Sequence, residues 1–225
     1  MTIVISITDL EFRHGNEFCL RIPQLEIGDA SASAFIGPSG TGKTTLLHLI
    51  AGIEVPVKGQ VVTNGVDVTQ LDDAARRDFR VRSVGLVFQD FELLDYLDVL
   101  DNVLLPYRLQ PGLGLDATVE DRARQLATDL GVGEKLGRFA HQLSQGEKQR
   151  AALCRALLPQ PSVILADEPT GNLDPANKEL VLDLLFDYLE QKDNGQVTLI
   201  TVTHDHELLN RFKTIVDFAQ FHESA

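Results

Sequence analysis

Gly37-Pro38-Ser39-Gly40-Thr41-Gly42-Lys43-Thr44 follows the short apolar run Ala32 to Ile36 and precedes a helical pattern. This is the order GxxxxGK followed by Ser or Thr, placed between a strand and a helix as a P-loop requires. Its spacing follows from what it must hold. Glycines let successive backbone N–H groups curl around phosphate oxygens, and the following helix points its positive end at them. Lys43 then reaches the terminal phosphates and the Thr44 hydroxyl can hold Mg2+. Pro38, Ser39, Thr41 and Thr45 complete the candidate nucleotide contacts.

Outward from this loop, the runs Ile3 to Ile7, Ser83 to Phe88, Val163 to Ala166 and Val197 to Val202 read as strands alternating with helices. That alternation predicts an α/β fold with a parallel sheet. Between Asp90 and Gln142 the strand signal disappears, so this third reads as a helical insertion. Thr118 and Asp121 have capping-box spacing, Leu126 and Leu130 follow on one face, and Gly131 sits where a helix stops. A second helix is expected from Ser144, with Glu147 as its capping partner. A third follows Asp174, with Pro175 in its first position and Leu180, Leu184, Leu185 and Leu189 along it.

The chain has 225 residues, and 20 Lys and Arg stand against 33 Asp and Glu, a net charge of −13. With 44% hydrophobic residues it can bury a sizeable core, which excludes disorder and collagen. A pI near 4.8 argues against coating nucleic acid, because phosphate binding needs clustered Lys and Arg. Its apolar runs fall short of the roughly 20 residues that cross a bilayer, and Met1 to Leu10 have no secretory pattern. A cytoplasmic protein is expected. Cys19 and Cys154 are too few for a disulfide framework and are expected to be buried small hydrophobes.

A P-loop alone specifies only a nucleoside triphosphate. The second half of the site is Val163-Ile164-Leu165-Ala166-Asp167-Glu168, an apolar strand that delivers two carboxylates at its end. Asp167 would bind the Mg2+ shell, and Glu168, pointing the other way, could polarise the attacking water as general base. A guanine-reading NKxD is missing: Asn177-Lys178-Glu179-Leu180 lacks the aspartate and lies within an expected helix. ATP is therefore favoured.

Further elements line up in order and resemble the ATP-binding subunit of ABC transporters over essentially the whole chain. Leu143-Ser144-Gln145-Gly146-Glu147 looks like the LSGGQ signature and stands 23 residues before Asp167 when counted from Ser144. Gln89 looks like the Q-loop residue, Asn172-Leu173-Asp174 like the D-loop, and His204 like the switch histidine. The resemblance implies a P-loop core with a small N-terminal antiparallel β part and an inserted helical subdomain. The chain would form one ABC ATPase domain, with 1–89 and 156–225 as core and 90–155 as the helical part. It also implies a head-to-tail homodimer in which Ser144, Gln145, Gly146 and Glu147 serve the ATP of a second copy and Asp174 meets the opposite subunit. Gln89 would join Thr44 and Asp167 at Mg2+, and His204 would hold the γ-phosphate. Lys43, Glu168 and His204 form the implied catalytic set. Gln145 and Glu147 depart from the usual Gly and Gln. The adenine-stacking aromatic is replaced by His14, with Phe12 as the nearby alternative.

Residues Ala166 to Asp174 are similar to the branch of lipoprotein-releasing, macrolide-export and cell-division ATPases, the MacB, LolD and FtsE type. This implies separate transmembrane permease subunits and a peripheral place on the cytoplasmic face of the membrane. Segment Asp90 to Asp101 carries five acids and no Lys or Arg. It reads either as a solvated face or, by resemblance, as the permease-docking region, with Phe91, Leu94 and Tyr96 as socket and Asp95 and Asp98 meeting basic partners. Arg76, Arg77, Arg80 and Arg82 form a basic cluster, a solvated helix flank or a lipid contact. The competing reading is a non-transport ABC protein acting on DNA or ribosomes. Such proteins generally hold tandem nucleotide domains or a long coiled-coil insertion, and neither pattern occurs here. A P-loop small-molecule kinase would leave the signature helix unexplained.

Overall fold

The computed structural model describes residues 2–15, 18–191 and 197–221. Its elements run β1 (Ile3–His14), β2 (Phe18–Gly28), β3 (Ala32–Ile36), α1 (Lys43–Ile50), β4 (Lys58–Thr63), β5 (Val66–Asp67), α2 (Asp73–Ser83) and β6 (Val84–Val87). They continue with α3 (Val99–Leu109), α4 (Ala117–Asp129), α5 (Gln145–Leu157), β7 (Val163–Asp167), α6 (Pro175–Gln191), β8 (Thr198–Val202) and β9 (Thr214–Asp217).

Two sheets result. The antiparallel one has the order β2-β1-β4-β5, and the parallel one β6-β7-β8-β3-β9. Pro23, which cannot donate to a ladder, lies in β2 at a sheet edge, where it is tolerated. The first strand extends well past Ile7. Asp9 takes a left-handed φ of 49° where the register of β1 on β4 shifts between Thr8 and Glu11. This irregularity hides one long strand from a reading of short runs.

Strands β3, β7 and β8 of the parallel sheet are covered on both faces, which explains their unbroken apolar character. Successive residues alternate sides: Ala34, Ile164, Ala166 and Leu199 join the core shared with α3 to α6. Phe35, Leu165, Ile200 and Val202 join the core shared with α1 and the antiparallel sheet. In that second core the Phe35 and Phe218 rings lie 5.3 Å apart. Each such fully buried Phe, Leu or Ile contributes roughly 1.5–3 kcal/mol relative to exposure.

In the helical region, α4 begins earlier than its sequence indicates. Asp116, not Thr118, accepts from the Val119 N–H at 3.0 Å, so Thr118 falls inside the first turn. Gly131 takes φ 73° just beyond the helix end, the left-handed position that glycine adopts without penalty. Helix α5 runs through residues 155 and 156, and its Leu153, Cys154 and Leu157 share one core with Ile164 and Ala166. Cys154 is buried, which pushes its thiol up to about 12. Cys19, by contrast, is exposed, because it alternates with inward-facing Leu20 and Ile22 on β2.

Candidate functional site

The loop after β3 is held by its own side chains. Thr41 Oγ1 donates to the Pro38 carbonyl at 2.9 Å, and Lys43 Nζ donates to the carbonyls of Gly37 at 2.8 Å and Pro38 at 2.7 Å. Gly42 takes φ 95° at the N-cap of α1, and a Cβ there would stand 2.9 Å from Phe18 Cζ. The left-handed backbone favours glycine there, and the absent side chain leaves room for the Phe18 ring. Lys43 is only 7% exposed, and burial lowers its ammonium pKa, opposed by the charges of Glu168 and Asp167. The result is a desolvated cation folded onto loop carbonyls.

The parallel register brings the strand ends together. Phe35 and Asp167 both align with Val202, so β3, β7 and β8 end level. Ligands of open α/β sheets bind outside such carboxyl ends. Asp167 hydrogen-bonds the Thr44 side chain, while burial raises its pKa. Glu168 takes a left-handed φ of 44°, its N–H donates to the Val202 carbonyl at 3.0 Å, and its Oε2 lies 3.1 Å from His204 Nδ1. Such backbone strain in a non-glycine residue concentrates at functional sites. The adjacent carboxylates thus have separate partners.

These ends open onto a cavity of about 420 Å³ lined by Ser39, Gly40, Gly42, Lys43, Thr44, Thr45 and Glu168 on one side. Phe12, His14, Phe18, His48, Glu54 and Val202 complete it. Phe12 is 6% exposed and belongs to a core, whereas His14 is exposed. Phe18, absent from the sequence-based set, is the cross-strand partner of His14 and packs on Gly42. His48 and Glu54 were also missed, although the i+4 spacing from Thr44 to His48 on α1 was a usable signal.

Gly37, Pro38, Thr41, Asp167 and His204 do not line the cavity but are bonded to its loop and lining residues, whereas Gln89, Ser144, Gln145, Gly146, Glu147 and Asp174 lie outside it. Ser144 caps α5 in a reciprocal box: its N–H donates to Glu147 Oε2 at 2.8 Å, and its hydroxyl accepts from the Glu147 N–H at 3.3 Å. The Ser144 backbone bond is the main reason the Glu147 carboxyl titrates below its ordinary range, with Lys135 at 3.1 Å assisting. Asp174 caps α6 by accepting from the Asn177 N–H at 3.1 Å. Asn172 Nδ2 donates to the Gln89 carbonyl at 3.3 Å, and Gln149 Nε2 to the Pro169 carbonyl at 2.7 Å.

The acidic segment behaves differently from the expected socket. Phe91 is 6% exposed and packs in the core, and its carbonyl accepts from Arg155 Nη2 at 2.7 Å. Asp98 caps α3 through the Asp101 N–H, and the Asn102 side chain holds both backbone groups of Leu94. Asp95 and Tyr96 remain exposed. A separate apolar groove of about 230 Å³ lies between Val81, Leu86, Phe88, Leu105, Pro106 and Leu109, with Glu92 and Arg155 at its wall. The basic cluster is a helix flank: Arg76 and Arg77 reach Asp73, Arg80 donates to the Gly52 carbonyl at 3.0 Å, and Arg82 pairs with Asp78 at 2.9 Å.

A phosphate loop ending one strand and a carboxylate pair ending another, level with it, define a P-loop nucleoside triphosphatase. Residues 20–171 match the family described as ABC transporter, and the chain belongs to that family as one of its ATP-binding ATPase cassettes. It is 41% identical to the lipoprotein-releasing system ATP-binding protein LolD of Maricaulis maris over 203 residues, covering 90% of this chain and 86% of that one. It is 39% identical to the macrolide export ATP-binding/permease protein MacB of Syntrophobacter fumaroxidans, covering 88% of this chain but 27% of that protein. The fold superposes with a TM-score of 0.82 on the ATP-binding cassette MJ0796, a dimeric post-hydrolysis state bound to ADP and phosphate, at 29% identity over 95% of this chain and 93% of that one.

Proposed function

We propose that this chain is the ATP-hydrolysing subunit of a transporter of the lipoprotein-release and macrolide-efflux type, working as an ATP-closed homodimer beneath separate membrane-spanning subunits. One observation carries the dimer: Ser144 and Gly146 stand at a capped helix N-terminus, a natural anion site, yet lie outside the cavity that holds the chain's own P-loop. A second copy supplies the nucleotide they would grip.

In this reading residues 1–89 and 156–225 act as the catalytic core and 90–155 carry the signature. Lys43 exchanges its two carbonyl acceptors for the terminal phosphates, and the loop N–H groups from Ser39 to Thr44 hold the remaining phosphate oxygens. His14 and Phe18 flank the base. The Thr44 hydroxyl and Asp167 carboxylate, already in contact, offer the hard oxygen ligands that Mg2+ favours, with Gln89 as a further oxygen donor. Bound Mg2+ would neutralise charge on the β- and γ-phosphates. Glu168 accepts the proton of the attacking water, and His204, 3.1 Å from Glu168, orients that carboxylate and holds the γ-phosphate. Asp174 meets the opposite subunit.

Among the described residues no helix is long and apolar enough to cross a membrane. The apolar groove beside Glu92 and Leu109 fits a short amphipathic segment of a permease, which would hold the chain at the cytoplasmic face. Glu168→Gln should trap the closed state: with ATP and Mg2+ it should elute from gel filtration as a dimer. A monomer that still binds ATP would overturn the reading.

A further inference from the structure

Asn177 and Lys178, which fail as a guanine-reading motif, occupy the first turn of α6, and their side chains reach two other loops. The backbone N–H of Asn177 makes the ordinary cap to Asp174. Its side chain does more than a cap needs. Nδ2 donates to Asp174 Oδ2 at 2.6 Å, while Oδ1 accepts from Arg150 Nη1 at 3.2 Å on α5. The same amide lies over Gly146: a Cβ at that position would stand 2.8 Å from Asn177 Cγ and 3.3 Å from Arg150 Nη1. The glycine of the signature turn thus leaves room, inside a single copy, for the Asn177 side chain. Arg150 Nε is buried with no hydrogen-bond partner among the described residues, and the Asn177 oxygen takes the Nη1 donor of the same guanidinium. From the same turn, Lys178 pairs with Asp205 at 3.1 Å, next to His204.

We propose that Asn177 is a positioning residue whose amide locks the signature turn of α5 to Asp174. The two features that face a second copy are then held in one register before association. Preorganisation of this kind reduces the ordering that association otherwise requires. The proposal rests on the head-to-tail dimer reading and adds to it a named intrachain brace.

The test is the protein concentration at half-dimerisation, measured by gel filtration with ATP and Mg2+ in the Glu168→Gln chain. Adding Asn177→Ala should raise that concentration about tenfold. ATP affinity of the monomer should stay unchanged, since Asn177 lies outside the nucleotide cavity. Asn177→Ser keeps the backbone cap, cannot span to Arg150, and should behave as the alanine variant does. Arg150→Ala combined with Asn177→Ala should cost no more than the larger single change, as expected for one shared contact. A role in capping alone would lower the unfolding midpoint and leave dimerisation where it was, which overturns the brace. A Glu168→Gln parent that never dimerises removes the head-to-tail reading and the brace together. A dimerising parent with equally dimerising Asn177 variants removes the brace alone.

Discussion

Lys43 shows most directly how the site trades stability for readiness. Its ammonium is buried and, among the described residues, hydrogen-bonded to the neutral Gly37 and Pro38 carbonyls, and burial lowers its pKa against the nearby charges of Glu168 and Asp167. A desolvated charge without a full counter-charge is a cost that bound phosphate would relieve. Lys43→Met should therefore leave the unfolding midpoint unchanged or higher, while ATP affinity, measured by calorimetry, falls about 10- to 100-fold, the worth of a charged hydrogen bond. A lower midpoint with intact affinity would make Lys43 structural. At this scale the pairs Lys43-Thr44 and Asp167-Glu168 were legible in the sequence because each is contiguous, while the β3, β7 and β8 register that brings the two pairs together was not. Phe18 was not, since its place beside His14 depends on hairpin register. Asn177 was noticed only for the motif it fails to complete; its reach to Arg150 is visible only once α5 and α6 are packed.

Element boundaries were legible where a cap is local and unrivalled. Ser144 with Glu147 starts α5, and Asp174 before Pro175 starts α6, both as the spacing predicts. At α4 the spacing pointed to Thr118, but the earlier carboxylate, Asp116, holds the cap. Strands β2, β4, β5 and β9 were invisible because partly exposed or edge strands lack the apolar run that marked β3, β7 and β8. The α5 cap has a measurable acid signature. Folding lowers the Glu147 carboxyl below its ordinary value near 4.5, so the unfolded chain binds that proton first as pH falls. Its stabilisation is complete above that value and fades as pH drops through the folded one. Glu147→Gln keeps a side chain able to cap but loses the partly exposed Lys135 pair, so it should cost about 0.5 kcal/mol near neutral pH. In urea titrations across pH its deficit should shrink on acidification below the ordinary carboxylate range. A deficit that grows there would refute the assignment.

At the scale of the whole molecule, the register of β3, β7 and β8 levels their ends, so residues far apart in sequence meet at one cavity. The helical part shares one of the two cores and presents the signature outside the cavity; in the proposed head-to-tail dimer a single copy then holds half of each composite site. That is the central claim, and mixing two disabled chains tests it most directly. Ser144→Arg should abolish the signature and Lys43→Met the P-loop, each variant being inactive alone. In an equimolar mixture, half the dimers pair the two, and each of these holds one intact composite site of two. ATPase activity should then return to about a quarter of the unmodified chain's value. Two folded variants that remain inactive when mixed would contradict a signature that serves the nucleotide of a second copy.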